Sequence, residues 1–470
     1  MPPQTLRRIS WPLAALMALA VALLAVSPVV ATIALGACVA AALVGPRFAL
    51  QALAVATLIT YANPAIVKLS PLTSVLERLV LLAVFVRVLP LVRGADLKLV
   101  WPIWLFGLLS ALTSVMTSPA LPISIMKVIT FTLASTAVIV GFGRVRKARL
   151  PRLETWFLTL WISVMVLSGL TLLKPGLGIG GDGGLQGLLN QPQALGIFIA
   201  PFAAWALTGV LLMRRQASRL EVWLAIASLI LIFLTRARTG AFAAAFAVAF
   251  VMLTHLLSRR RTRQHASLGR PVLIAAIAGL ALLGAAIATG KVGKFVTAFA
   301  YKDYSEAHRN LGGAFYESRG GGVVSEWQNF THSPWLGNGF GVYPDGRFPA
   351  GVVMFDGIPI SAPIEKGFLP TAILEEGGIV GAAGLVLLIA WLARRAWRTQ
   401  ELRWRAMFVA CLAVNVGECV FLSAGGIGIL MWLLMGVSIS ACRVAALESQ
   451  GAAPATGRSS RRKASVRSRS

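Results

Sequence analysis

This chain has little acid for its base. Its 470 residues include 17 Asp and Glu against 44 Lys and Arg, with only four histidines and four cysteines. There is no P-loop lysine motif, GxSxG, HExxH, CxxC or DxD. The short connections between apolar runs offer no carboxylate pair for a divalent metal. These absences disfavour ATP-driven transport and metal-dependent glycosyl transfer. Cys38, Cys411, Cys419 and Cys442 lie in apolar stretches without metal-type spacing and read as small core residues. No internal repeat of the kind found in inverted-repeat transporters stands out.

Apolar chain is what remains: 57% of residues are hydrophobic and the mean hydropathy is +0.77. The runs are continuous over about 17–22 residues, which fits helices rather than the short alternating strands of a barrel. The expected fold is an all-α polytopic membrane protein with about 12–14 transmembrane helices. The run at 12–44 reads as two spans or as one bent hairpin. Arg7 and Arg8 precede it in the manner of a signal peptide, but a second run follows at once, so the first helix is expected to stay uncleaved. A helix bundle over 1–290 (about 11 spans), a loop region over 291–365, further helices over 366–445 (about three spans) and a basic disordered tail over 446–470 complete the layout.

The formal charge of +27 comes from short clusters between the runs, at 144–152, 214–215, 259–263 and 394–405. The connections near 26–28, 116–121 and 423–426 carry no Lys or Arg. This asymmetry expects both termini in the cytoplasm and 291–365 in the periplasm, and it disfavours nucleic acid as the partner of the basic charge. The Ser/Arg/Lys tail reads as disordered or drawn to anionic lipid.

Several polar residues stand against this background. Arg236 and Arg238, in "FLTRARTGAFAAAFA", fall on the expected outer side. Arg236 reads as an interfacial anchor or a ligand contact, whereas an arginine at 238 offers a donor fork suited to phosphate. Arg319 precedes three glycines, where backbone amides can approach an anion. Trp335 could stack on a sugar or sit at the lipid interface. Asn190, Gln191 and Gln193 either cap a helix after the glycine-rich 174–196 or line a polar entrance. Asn415 and Glu418 are intramembrane polar groups, readable as site residues or as helix-to-helix hydrogen bonds. Glu365, Lys366, Glu375 and Glu376 crowd the point where the large loop re-enters the membrane. Of these, Glu376 reads as an acid favouring a helix start.

Four segments in this order, "NQPQALGIF" (190–198), "TRARTGAF" (235–242), "SPWLGNGFGVY" (333–343) and the ExGxxG of Glu376, Gly378 and Gly381, resemble the O-antigen ligase and polymerase superfamily of bacterial membrane glycosyltransferases. The resemblance spans roughly 185–395. It implies a GT-C-like helical fold in the bacterial inner membrane, with one large periplasmic loop region and no metal or cofactor. The implied donor is a polyprenyl-diphosphate-linked oligosaccharide and the implied acceptor a glycan; membrane lipids and polysaccharide export or chain-length proteins are the implied partners. By position, Arg238 and Arg319 match the family's diphosphate-binding arginines. Arg319 stands eight residues before Trp327, where the family has about four. At re-entry the family usually shows a His-Asn pair; here Glu365-Lys366 stands instead.

The expected function is therefore polymerisation of surface polysaccharide units, in exopolysaccharide or O-antigen synthesis. Glu365 is expected as base with Arg238 and Arg319 on the diphosphate, and Arg236, Lys366, Asn190, Gln193 and Trp335 as substrate contacts. Ligation to lipid A–core is the alternative within the family. A transporter or flippase for a lipid-linked sugar is the alternative outside it.

Overall fold

A computed structural model describes residues 11–91, 94–181, 183–213, 217–261, 320–345, 354–355, 358–359, 366–398 and 401–451. The helices of the first part are α1 (Trp11–Leu24), α2 (Pro28–Val44), α3 (Pro46–Thr60), α4 (Pro71–Val88), α5 (Gly94–Thr117), α6 (Leu121–Arg144) and α7 (Leu150–Leu170). After the glycine-rich connection come α8 (Pro192–Leu212), α9 (Arg219–Leu234) and α10 (Arg238–Arg261). The last group is α11 (Gly321–His332), α12 (Leu369–Ala396), α13 (Leu402–Ala413) and α14 (Gly426–Gly451). A two-residue antiparallel pair, Met354–Phe355 with Ile358–Pro359, is the only strand structure among the described residues.

Proline sets many of these boundaries. A proline stands in the first two positions of α2, α3, α4, α6, α7, α8 and α12, where its missing N–H costs nothing and its fixed φ suits a helix. Residues 12–44 thereby form two short helices, α1 and α2, and the Ser27 hydroxyl accepts from the Val29 amide at 3.2 Å.

Six helical segments are long and apolar enough to cross a membrane by length and composition: Asp96–Thr117, Leu121–Arg144, Lys147–Leu173, Pro192–Leu212, Arg238–Ser258 and Leu369–Ala396. Four further apolar helices, Pro12–Leu24, Pro28–Val44, Pro46–Thr60 and Gly426–Ala441, are shorter. The bundle is that of a helical, multi-pass membrane protein. Helix α4 is long enough but carries Glu77, Arg78 and Arg87. The expected span near Ala276 lies outside the described residues, as does the tail beyond 451.

Helix α8 is the centre of the second half. It is apolar all round, as a helix enclosed by others must be, and packs against α9, α10 and α13. Trp161 of α7 stacks on Phe198 of α8 with centroids 3.7 Å apart. In the other half, Phe131 of α6 receives rings from two irregular segments. Phe340 lies 6.1 Å from it and Phe421 6.4 Å, with Trp432 of α14 at 5.7 Å. Those contacts pin loop residues into the helical core.

One end of the bundle gathers most of the irregular chain among the described residues. The Asn63 side chain donates to the carbonyls of Leu177 and Gly187, and the Asn190 amide to that of Tyr61. The Leu185 amide reaches the Leu234 carbonyl, and the Cys419 amide the Lys366 carbonyl at 3.0 Å. The opposite end carries the basic connections. There Arg144 pairs with Asp96, and Arg403 pairs with Glu221.

Candidate functional site

The site is assembled where a helix breaks. Within α12, Gly378 has φ 59° and ψ −159°, a conformation essentially reserved for glycine. The kink frees backbone groups that a regular helix would pair internally, and segment 334–339 takes them up. Asn338 and Gly339 amides donate to the Glu375 and Glu376 carbonyls at 2.8 and 3.0 Å. Ile379 and Val380 amides donate to Pro334 and Trp335 carbonyls at 2.9 and 3.2 Å. The backbones cross so closely that a Cβ on Gly378 would lie 2.3 Å from the Trp335 carbonyl carbon. One on Gly337 would lie 2.5 Å from that of Glu376. The glycines of "SPWLGNGFG" and of the ExGxxG pattern thus serve one joint.

The other two segments meet in the same way. A Cβ on Gly240 would fall 2.6 Å from the Gly196 carbonyl oxygen, so α8 and α10 touch backbone to backbone at their starts. Thr239, the second residue of α10, lies against Gly417, in the break between α13 and α14. That break is held by Asn415. Its Nδ2 donates to the Cys411 and Leu412 carbonyls, and its Oδ1 accepts from the Phe421 amide at 2.7 Å. Asn415 therefore caps a broken helix locally instead of bonding across to another one.

At this joint sits a buried charge cluster. Lys366 Nζ lies 2.6 Å from Glu375 Oε2 and 3.3 Å from Glu376 Oε1, with all three side chains 3–5% exposed. These are ion contacts rather than aligned hydrogen bonds, because neither the ammonium nor Glu375 Oε2 meets hydrogen-bond geometry. Glu375 Oε1 accepts from Asn329 Nδ2 at 2.7 Å, and Thr371 Oγ1 donates to Glu326 Oε2, docking α11 onto the start of α12. Burial pulls the Lys366 pKa down, but Glu376 and Glu375 outweigh it, so the net direction is up and the lysine stays charged. Burial likewise pushes the Glu326 carboxyl up.

Three cavities share Lys366 as part of their walls. One of about 430 Å³ is lined by Glu77, Arg78, Lys127, Glu376 and Glu418 among others. A second of about 290 Å³ adds Gln191 and Gln193, and again includes Tyr61 and Glu418. The third, about 380 Å³, lies on the other side with Glu326, Asn329 and Glu375. Cations and acids facing one polar space can hold phosphate oxygens and sugar hydroxyls together.

The sequence-derived residues fall out unevenly. Lys366 and Gln193 reach the cavities, and Arg238 opens α10 beside the Gly417 contact without lining any of the three. Arg236 is the only non-glycine residue with positive φ among those described, at 54°. Its guanidinium lies against Gly183 in the glycine-rich connection. Asn190 bonds through its backbone and its Oδ1 is buried without a partner, while Gln191, at the N-cap of α8, makes no side-chain cap. The Trp335 ring is 66% exposed and lines no described cavity. Glu376 does not open a helix: it stands inside α12, two residues before the kink. Glu365 and Arg319 lie outside the described residues, as do the bounds of the 291–365 loop region.

Arg78 and Lys127 were not singled out by sequence reasoning. Lys127 is an ionisable residue near the start of apolar α6, and Arg78 follows Glu77 within α4, which also carries Arg87; charges inside apolar helices are functional-site candidates. No protein-family model matches the chain, and no curated protein matches it.

Proposed function

We propose that this chain is a metal-independent membrane glycosyltransferase of the O-antigen ligase and polymerase type. On this reading it joins polyprenyl-diphosphate-linked oligosaccharide units at the periplasmic face of the bacterial inner membrane, polymerising surface polysaccharide. The acceptor hydroxyl attacks the anomeric carbon of the donor, and polyprenyl diphosphate leaves with the bonding electron pair. Arg238 and Arg319 stabilise the charge that develops on the leaving group, and Glu365 takes the acceptor proton. Both termini then face the cytoplasm, and the fold is GT-C-like.

One observation carries the reading. The four segments on which the resemblance rests, scattered over 190–381, come together at one end of the bundle: Phe340, Gly341 and Glu376 line the 430 Å³ cavity, Gln191 and Gln193 the 290 Å³ cavity, and 235–242 packs against Gly196 and Gly417. A second reading, a flippase for the same lipid-linked sugar, is favoured by the kink in α12 and the break between α13 and α14, since interrupted helices are a transporter mark.

A deletion strain separates the readings. A polymerase deletion removes high-mass polysaccharide and leaves single lipid-linked units on the periplasmic leaflet. A flippase deletion strands them on the cytoplasmic leaflet, and a ligase deletion leaves full polymer on its lipid carrier. Unaltered polysaccharide and lipopolysaccharide would discard all three.

A further inference from the structure

We infer that the 380 Å³ cavity between α11 and the re-entry segment binds sugar rings of the glycan, Glu326 and Asn329 taking hydroxyls and Tyr343 a ring face. This rests on the glycosyltransferase reading for the choice of a glycan, and it assigns the sugar to one side of the Lys366 cluster.

The cavity is built on one face of a helix. Gly322, Ser325, Glu326 and Asn329 line it at the i, i+3, i+4, i+7 spacing that stacks residues along an α-helix. Tyr343 and Asp345 come to it from the loop, and Lys366 from the re-entry. Helix α11 has 12 residues and is not among the segments long and apolar enough to cross a membrane, which leaves this polar face for a hydrophilic ligand.

Two of these side chains also hold α11 onto α12, and that hold uses only part of each. Thr371 donates to Glu326 Oε2, which leaves Oε1 without a hydrogen bond among the described residues, in a residue only 7% exposed. Asn329 Nδ2 gives one hydrogen to Glu375 Oε1 at 2.7 Å, and a carboxamide has a second N–H and an oxygen to offer.

The chemistry is that of a sugar subsite rather than a phosphate clamp. Lys366 is the only Lys or Arg on this wall among the described residues, and its ammonium lies against Glu375 and Glu376 at 2.6 and 3.3 Å. The hydroxyl, carboxamide and carboxyl groups beside it pair with sugar hydroxyls as donors and as acceptors. Tyr343 adds a ring that is 37% exposed, whose apolar face and phenolic tip suit the C–H face and rim hydroxyls of a sugar. Gly322 adds room, for a Cβ there would meet nothing within 4 Å. A volume of about 380 Å³ falls in the range of roughly 300–1,000 Å³ that holds small ligands.

The test is saturation-transfer NMR on the purified full-length protein in detergent. The probes are oligosaccharides from partial hydrolysis of the host bacterium's surface polysaccharide, with inorganic pyrophosphate as competitor. Gly322→Phe, whose new ring enters open space on the cavity wall, is expected to abolish binding. Gln328→Phe, exposed on the same helix and off that wall, should bind as the parent does. Tyr343→Ala should weaken binding about tenfold, and Tyr343→Phe, which keeps the ring, no more than about threefold. Pyrophosphate should not displace the sugar. Parent-like binding in Gly322→Phe, an equal loss in Gln328→Phe, displacement by pyrophosphate, or no binding by the parent overturns the inference. Polymer formed at the parent rate by Gly322→Phe overturns it too and leaves the glycosyltransferase reading standing. Binding with the expected dependence, in a protein that forms no polymer when reconstituted with lipid-linked units, overturns that reading alone.

Discussion

Two buried ion clusters sit at opposite ends of this bundle, and they are built differently. At the basic end, Arg403 of α13 meets Glu221 of α9 one to one. Nη1 lies 2.5 Å from Oε1 and Nη2 3.3 Å from Oε2. Glu221 also completes a capping box with Ser218, and the guanidinium lies 5.0 Å from the Trp205 ring centroid. No described cavity reaches this pair. At the other end, Lys366 answers two carboxylates with a third nearby, and three cavities open on it. A closed, charge-balanced pair locks helices together. An unbalanced cluster bordered by open space is poorly designed for stability alone, because buried ions repay their desolvation only when well paired. On the proposed reading, the cluster bordered by open space is the one with a role beyond packing.

The sharpest test of that difference is to delete one partner at each end. Arg403→Met leaves Glu221 buried and uncompensated in a sealed site and is expected to cost about 3–5 kcal/mol. Lys366→Met is expected to cost less than half as much, because water in the adjoining cavities can reach Glu375 and Glu376, yet it should abolish transfer. Denaturant titration of both purified variants gives the stabilities, and polymer formation on gels gives the activity. Equal stability losses, or full activity in Lys366→Met, would erase the distinction between the two ends.

How far the sequence announced these two regions follows from the physics of each. The six long apolar helices were legible because hydropathy over about 20 residues is a strong local signal. The split between α1 and α2 was less so, since Ser27-Pro28 interrupts a run that stays apolar on both sides. The gathering of the motif segments was not legible in the sequence. Nothing local tells Gly337 that its partner is the Glu376 carbonyl, 39 residues along a chain that crosses back over itself. Lys366 was singled out, but its acids sit one helix start away and only the fold brings them within 4 Å. Arg78 and Lys127 were hidden because both helices were read for their hydrophobicity, α4 despite its Glu77, Arg78 and Arg87.

The joint between 334–339 and α12 is the next place to press, because rigid crossing of backbones is what the cavity end has and the sealed end does without. Gly378→Ala places a side chain in a left-handed conformation worth about 1–3 kcal/mol of strain, and drives a Cβ against the Trp335 backbone. Gly36→Ala in α2 is the matching control, for nothing lies within 4 Å of its Cβ position. It should stabilise by about 0.5–1 kcal/mol, the ordinary gain for a helix interior. Denaturant midpoints that move in the same direction for both would show that the crossing is not tight. Transfer should fall in Gly378→Ala and hold in Gly36→Ala.

The smallest expected effect is a pH slope confined to the cavity end. Burial raises the Glu326 pKa above the ordinary 4.5. The Thr371 hydroxyl and Lys366 pull it back, and Glu375 and Glu376 push it up again. A raised folded-state value means that folding favours the protonated acid. Its contribution to stability is complete below pH 4.5 and is lost as pH rises through the raised value. Glu326→Gln is neutral at every pH and still offers an oxygen to the Thr371 hydroxyl, so its stability relative to the parent should climb as pH goes from 4.5 to 7. Removing Lys366 takes away one of the influences holding the value down, so in Lys366→Met the parent-type loss should extend to higher pH. Arg403→Met, at the other end of the bundle, should leave that slope where it was. A slope that moves with Arg403 and not with Lys366 would mean that the Glu326 carboxyl belongs to a different electrostatic neighbourhood from the one its contacts describe.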